Sequence, residues 1–436
     1  MTSINERGGP YAWYVVFVLI IVYTFSYVDR TILTLMVVPI RASLGISDVQ
    51  ISLLHGLAFA IFYTALGIPI GRLVDRSRRV TIITVGIITW SIMTALCGLA
   101  KSFGTMFLAR VGVGVGEATL SPAAYSILSD YFPPAQLGRA LSVFTCAMYI
   151  GSGLAMIAGG AMIAIVPPLT LPLLGHLEAW QVVFMIVGLP GLLVGLLVAT
   201  LREPARRGVK LVVGTVQPSA REVYRYVAER RGAYLYLIVG FSLSSLVWNG
   251  VSAWIPTHFI RHYGWTVGEI GTAYGVILLF CGTSGILSGS VLADRLRSKG
   301  IIDSAVKVGC ISAMLVVPAG LAGALTSDPR IAIACFAAFV FSASLPYGNA
   351  AAALQEITPN QMRGQVAAIY ILGINLAGIG VGPTIVALVS RALGGDAMLG
   401  PAIATVTVIF APLSLLALTR AAKPYRAAFQ EFAEAA

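Results

Sequence analysis

Twelve apolar stretches, each long enough to cross a bilayer, constrain this 436-residue chain more than any other feature of its sequence. A membrane-spanning helix needs about 20 predominantly apolar residues. Breaking the sequence at charged and Pro/Gly-rich positions predicts such helices at about 12–40, 48–71, 80–100, 104–130, 137–166, 179–201, 233–260, 267–293, 303–325, 330–356, 362–391 and 396–420. The ten-residue alternation of a transmembrane β-barrel is absent. The expected fold is therefore an all-α membrane protein with twelve transmembrane helices. A composition of 58% apolar and only 11% charged residues excludes a water-soluble fold.

Lys and Arg number 29 against 18 Asp and Glu. In a soluble chain this excess would suggest nucleic acid, but here the basic residues sit in the short breaks between apolar stretches, where they orient a membrane protein. Placing the N-terminus in the cytoplasm puts 22 of the 29 on the cytoplasmic face, from Arg7 through Arg426. The opposite face holds Arg41, Lys101, Arg261, Arg330 and Arg391. Both termini are expected to be cytoplasmic, and nucleic acid is not an expected partner. The first apolar stretch is too long for a signal peptide core and has no small-residue cleavage site, so it is expected to stay as a helix. The five cysteines lie in apolar stretches without paired spacing and read as small apolar residues.

The longest polar segment divides the chain into a six-helix bundle at 1–201, a cytoplasmic linker at 202–231, a second six-helix bundle at 232–420 and a tail at 421–436. The linker, rich in Arg with Tyr224 and Tyr226 interspersed, suits either an amphipathic surface helix or a solvated connection. A repeat supports the division. Gly71-Arg72-Leu73-Val74-Asp75-Arg76-Ser77-Arg78-Arg79 follows the second predicted helix, and Ser290-Val291-Leu292-Ala293-Asp294-Arg295-Leu296-Arg297 follows the eighth. Asp75 and Asp294 are 219 residues apart, close to half the chain. Two parallel six-helix repeats are one architecture of secondary transporters.

The Gly-x-x-x-Asp-Arg-x-x-Arg run resembles the signature of the major facilitator superfamily, with Ser290 in place of the Gly in the second copy. That resemblance implies a cytoplasmic latch between the bundles in the outward-open state, formed by Gly71, Asp75, Arg76 and Arg79 with Asp294 and Arg295. A narrower resemblance, to the spinster group, is carried by Ser26-Tyr27-Val28-Asp29-Arg30, by Arg110 to Ala118, by Gly151-Ser152-Gly153-Leu154 and by Leu201-Arg202-Glu203-Pro204. It implies export of lysolipids such as lysophospholipids or sphingosine-1-phosphate, coupled to protons in bacterial members, and hence a place in the bacterial inner membrane.

Independently of any family, Asp29, Arg30, Arg110 and Glu117 lie within otherwise apolar helices. A charge at the bilayer centre costs about 2.5–3.5 kcal/mol or more, so each requires a partner or water. At 1.5 Å per residue, Asp29 lies about 17 Å below the outer end of the first helix and Glu117 about 19 Å below that of the fourth. One polar cluster in the first bundle is expected. It serves either as a buried ion-pair set, Asp29 with Arg110 or Glu117 with Arg30, or as a titrating pair of carboxylates, Asp29 and Glu117, that couples protons to transport.

The second bundle has no counterparts: a shift of 219 residues puts Trp248, Asn249 and Phe336 at these positions. It offers Trp248, Asn249, Tyr347 and Asn375 to an amphiphilic substrate, with Arg30 and Arg110 for its anionic head group. The Gly112 to Glu117 run is mid-membrane without a preceding strand and is not a nucleotide fingerprint, and no Walker-type sequence is present. No metal site, nucleophilic triad or cofactor is expected, so the chain reads as a monomeric, proton-driven exporter of an anionic amphiphile and not as an enzyme. A water-soluble organic anion or a drug-like compound is the alternative cargo.

Overall fold

The computed structural model describes residues 8–172, 175–206, 219–359 and 361–434. Among these, ten helices are long and apolar enough to cross a membrane. The two remaining predicted spans, the fourth and the tenth, are each built of two shorter helices, Phe103–Glu117 with Leu120–Tyr131 and Pro329–Ser344 with Ala350–Glu356. Proline accounts for both interruptions. Pro122 and Pro346 lack the N–H that would bond the carbonyls of Ala118 and Ser342 four residues earlier, and their rings crowd those carbonyls. Pro39 acts in the same way on Leu35, where the first span passes from Pro10–Leu35 to Val37–Leu44.

The chain folds as two compact units, residues 1–213 with 266–275, and residues 214–265 with 276–436. In the first unit the remaining spans are Asp48–His55 with Leu57–Arg76, Arg79–Cys97, Pro134–Ile165, and Ala179–Gly188 with Pro190–Ala199. A short antiparallel hairpin, β1 (Leu169–Leu171) and β2 (Gly175–Leu177), follows the fifth span and is the one departure from an all-helical chain among the described residues. Large apolar side chains such as Phe17, Leu108, Leu193 and Leu196 are well exposed on the outside of these helices, the surface a lipid-solvated bundle presents.

In the second unit the spans are Arg231–Tyr263, Val267–Ser298 from Val276 onward, Ser304–Leu325, the broken tenth, Arg363–Leu393 and Leu399–Glu434. Two of them contain π-helical turns, Leu278–Gly282 and Asn375–Val381, each of which shifts the register of the side chains beyond it. Within the linker, Ala220–Glu229 forms a helix capped by a Ser219–Glu222 box. Its Val223 packs in one apolar cluster with Tyr234, Ile357 and Tyr425. The last helix continues to Glu434, and Tyr425 on it is completely buried.

Candidate functional site

Four intramembrane charges of the first unit converge on two helices. The first span carries Ser26, Asp29 and Arg30 within little more than one turn, and the fourth carries Arg110 and Glu117, seven residues apart and so on nearly the same face. Glu117 is 1% exposed, and its Oε2 accepts hydrogen bonds from Ser26 Oγ at 2.7 Å and Arg30 Nε at 2.5 Å, with Arg30 Nη2 also paired to it. Its Oε1 has no hydrogen-bond partner among the described residues. Of the two ion pairs open to the sequence, Glu117 with Arg30 is thus the one that forms.

Arg30 is held from its other sides by aromatic rings. Its guanidinium carbon lies 4.4 Å from the ring centre of Phe59, 5.0 Å from that of Tyr27 and 5.1 Å from that of Tyr63. These faces stabilise a cation that a dry site would otherwise disfavour. Arg30 keeps 17% of its side chain exposed, whereas the paired carboxylate has none. The cation is therefore the member of the pair within reach of a solute.

Asp29 takes a different route. Thr94 Oγ1 donates to its Oδ2 at 3.0 Å, and its Oδ1 has no hydrogen-bond partner among the described residues. Arg110 is turned to the main chain: Nη1 donates to the carbonyl of Asp29 at 3.2 Å and Nε to that of Leu54 at 3.4 Å. At 1% exposure it fastens the first, second and fourth spans together and presents no surface to a ligand.

Glycines permit this convergence. A Cβ on Gly116 would lie 2.7 Å from Trp90 N and 2.8 Å from Gly86 O, and one on Gly114 would lie 2.8 Å from Phe59 O. The alternating glycines before Glu117 bring the fourth span against the backbones of the second and third.

In the second unit, Asn249 Nδ2 donates to Ser245 O at 2.9 Å and lies 3.2 Å from Ser245 Oγ, which itself donates to Ile374 O at 3.0 Å. Asn375 follows Ile374 and opens the π-helical turn, so the structure brings Asn249 and Asn375 onto neighbouring spans. Trp248 stacks on Phe339 of the tenth span, and Tyr347 is half-buried in the break of that same span.

The motif residues separate into two environments. Arg76, Asp294 and Arg295 are exposed, Gly71 is half-buried, and the side chain of Asp75 lies outside the described residues. Arg79 is 1% exposed. Its Nε donates to Glu203 at 2.8 Å, Nη2 to Pro204 O at 2.8 Å, Nη1 to Ser126 O at 3.1 Å and to Asp130. Arg79 thus ties the third and fourth spans to the segment that follows the sixth.

The Major Facilitator Superfamily model matches residues 19–383. The chain belongs to this superfamily. It is 29% identical over 407 residues to an MFS-type efflux pump of Mycolicibacterium smegmatis, an alignment spanning 91% of this chain and 88% of that protein. It is 25% identical over 300 residues to a probable L-galactonate transporter of Escherichia coli, spanning 66% and 63% respectively. In structure it is similar to a bacterial homologue of the human lysosomal transporter Spinster, solved in an inward-facing and unoccupied conformation, with a TM-score of 0.79, 26% identity and 98% of each chain covered.

As a major facilitator transporter related to spinster and to efflux pumps, the chain is a multi-pass membrane protein and not an enzyme. Sequence reasoning missed Ser26, Thr94, Phe59 and Tyr63. Ser26 carried a signal, since it lies three and four residues before Asp29 and Arg30 on the same helical face. Thr94 and the rings did not, because hydroxyls and aromatics on apolar helices are ordinary packing residues.

Proposed function

We propose that this transporter exports a lysolipid in exchange for protons, from a bacterial inner membrane in which both its termini are cytoplasmic, with Arg30 docking the phosphate of the head group and Asp29 and Glu117 binding protons. The observation that carries this reading is the pairing of Glu117 with Arg30. A phosphate that takes the two Arg30 nitrogens now on Glu117 displaces that carboxylate, and a proton on Glu117 frees them. Proton and phosphate thereby become linked through one cation. Arg110, buried and bonded to two main-chain carbonyls, has no docking role in this reading.

Charge balance sets the sign of the coupling. Asp29, Arg30, Arg110 and Glu117 sum to zero, so a purely anionic solute makes the cluster negative and draws a proton in with it. Solute and proton then move in the same direction. Exchange requires that solute and proton exclude one another at a carboxylate, which a head-group ammonium achieves at Asp29 when Glu117 keeps its proton through the cycle. Ionised Asp29, whose Oδ1 has no hydrogen-bond partner among the described residues, attracts an ammonium, and protonated Asp29 does not. The proposed cargo is therefore a zwitterionic lysolipid.

The same balance favours a second reading, co-transport of a sugar acid with a proton, in line with the likeness to a probable L-galactonate transporter. Flux into proteoliposomes under pH gradients of both signs separates the two. The first reading expects lysophosphatidylcholine to move against the proton flow. Galactonate moving with the protons, and no lysolipid flux under either gradient, establishes the second.

A further inference from the structure

We propose that the β1–β2 hairpin of the first unit is an interfacial anchor that lies flat in the bilayer surface, with its leucine side in the acyl region and its Thr170–His176 side in water. The connection from Val166 to Leu177 contains no Lys, Arg, Asp or Glu, although it joins two membrane spans where a water-exposed loop would ordinarily be polar. It belongs to the bilayer face that carries few Lys and Arg. Ile165, the last residue of the fifth span, is 78% exposed, and Pro167, Pro168, Leu169 and Pro172 continue that exposed apolar surface.

Backbone chemistry supports the same placement. Non-helical chain near lipid must satisfy its own polar groups. Here Leu169 pairs with Leu177, Thr170 with His176 and Leu171 with Gly175, while Pro167, Pro168 and Pro172 have no N–H to satisfy. Gly175 takes φ +75°, a conformation that L side chains rarely adopt, and so lets the second strand turn back. Three residue pairs do not hold a two-stranded hairpin together in water; an apolar surface must support it.

The two faces differ in the way an interfacial element requires. Leu169, Leu171 and Leu177 share one face, with Leu177 buried against the protein and Leu169 still 42% exposed. Thr170 and His176 share the other face, both exposed, with Thr170 Oγ1 3.3 Å from His176 Nδ1. His176 Nε2 lies 3.6 Å from Glu178, which lines the polar edge at the start of the next helix. A protein-facing hairpin would bury Leu169 as it buries Leu177, and a solvated one would not expose leucine and proline together. The partner that fits is the boundary between headgroups and acyl chains.

Site-specific fluorescence of the full chain in lipid nanodiscs tests this. With the five native cysteines replaced, Leu169→Cys and Thr170→Cys are each labelled with a nitrobenzoxadiazole dye. The label at 169 is expected to be quenched several-fold more by shallow doxyl-lipid than by aqueous iodide, and the label at 170 to show the reverse. Leu171→Cys is expected to repeat the pattern of 169. Iodide quenching at both 169 and 170 would place the hairpin in water, and lipid quenching at neither would place it against protein; either result overturns the proposal.

Discussion

Ser26 and Arg30, one helical turn apart on the first span, bond the same oxygen of Glu117, so a single carboxylate atom collects a hydroxyl and a guanidinium while its twin has no hydrogen-bond partner among the described residues. A hydrogen bond to a buried charge contributes about 1.5–3 kcal/mol. Ser26→Ala is expected to destabilise the protein by an amount in that range. In a thermal-unfolding double-mutant cycle with Glu117→Gln, the two losses should fall short of additivity by about 1 kcal/mol or more. Strict additivity would mean that the serine does not act through Glu117.

Arg79→Ala should be among the most damaging single changes outside the central cluster. It removes the cation that Asp130 and Glu203 share, and breaking a buried pair in this way costs about 3–5 kcal/mol. Arg79→Lys restores the charge but not the fork that reaches Asp130, Glu203 and two carbonyls at once, so its melting temperature should lie between those of wild type and Arg79→Ala. A lysine variant as stable as wild type would contradict this geometry.

The same cluster gives an acid-dependent stability. Burial pushes the Glu203 carboxyl up, but hydrogen bonds from the Val80 amide and from the side chain and amide of Arg79 outweigh it and hold Glu203 below the usual carboxylate range. A group depressed on folding stabilises fully above its unfolded value, and that contribution disappears as the pH falls through the folded value. Glu203→Gln should therefore melt below wild type at neutral pH, with the gap closing on acidification. Parallel curves would show that the carboxylate charge is not the stabilising element.

Two glycines one turn apart should behave unlike each other. At Gly116 a methyl group meets backbone atoms of Trp90 and Gly86, which cannot yield without moving the helices, so Gly116→Ala should cost about 1–3 kcal/mol and disturb Glu117 beside it. At Gly112 the methyl meets the Met93 side chain, which is flexible. Gly112→Ala should remain within about 1 kcal/mol of wild type, as read by thermal unfolding. Equal losses would show that close backbone approach is not what distinguishes the two positions.

The spans were legible because hydrocarbon requires length and apolarity, and those are properties of local sequence. The charged cluster was legible for the related reason that a charge in an apolar helix is costly and must be compensated. What each charge bonds was not legible. Arg79 reads as one of several loop arginines until Asp130 and Glu203, 51 and 124 residues away, are brought to it. Arg110 and Arg30 look alike in sequence, yet one binds carbonyl groups and the other a carboxylate. The π-helical turns at Leu278–Gly282 and Asn375–Val381 leave no periodic trace, since one extra residue per turn disappears within an apolar run. The last helix was under-read because Arg420, Lys423 and Arg426 conceal the apolar spacing of Ala421, Tyr425 and Ala428.

Binding of lysophosphatidylglycerol, which carries phosphate without ammonium, to purified wild type and Glu117→Gln across a pH series tests the competition for Arg30 directly. Wild-type affinity is expected to rise as the pH falls, approaching about tenfold per unit for one linked proton, while Glu117→Gln binds tightly with that slope removed. A Glu117→Gln protein that is folded but fails to bind, or that keeps the wild-type slope, would contradict the account.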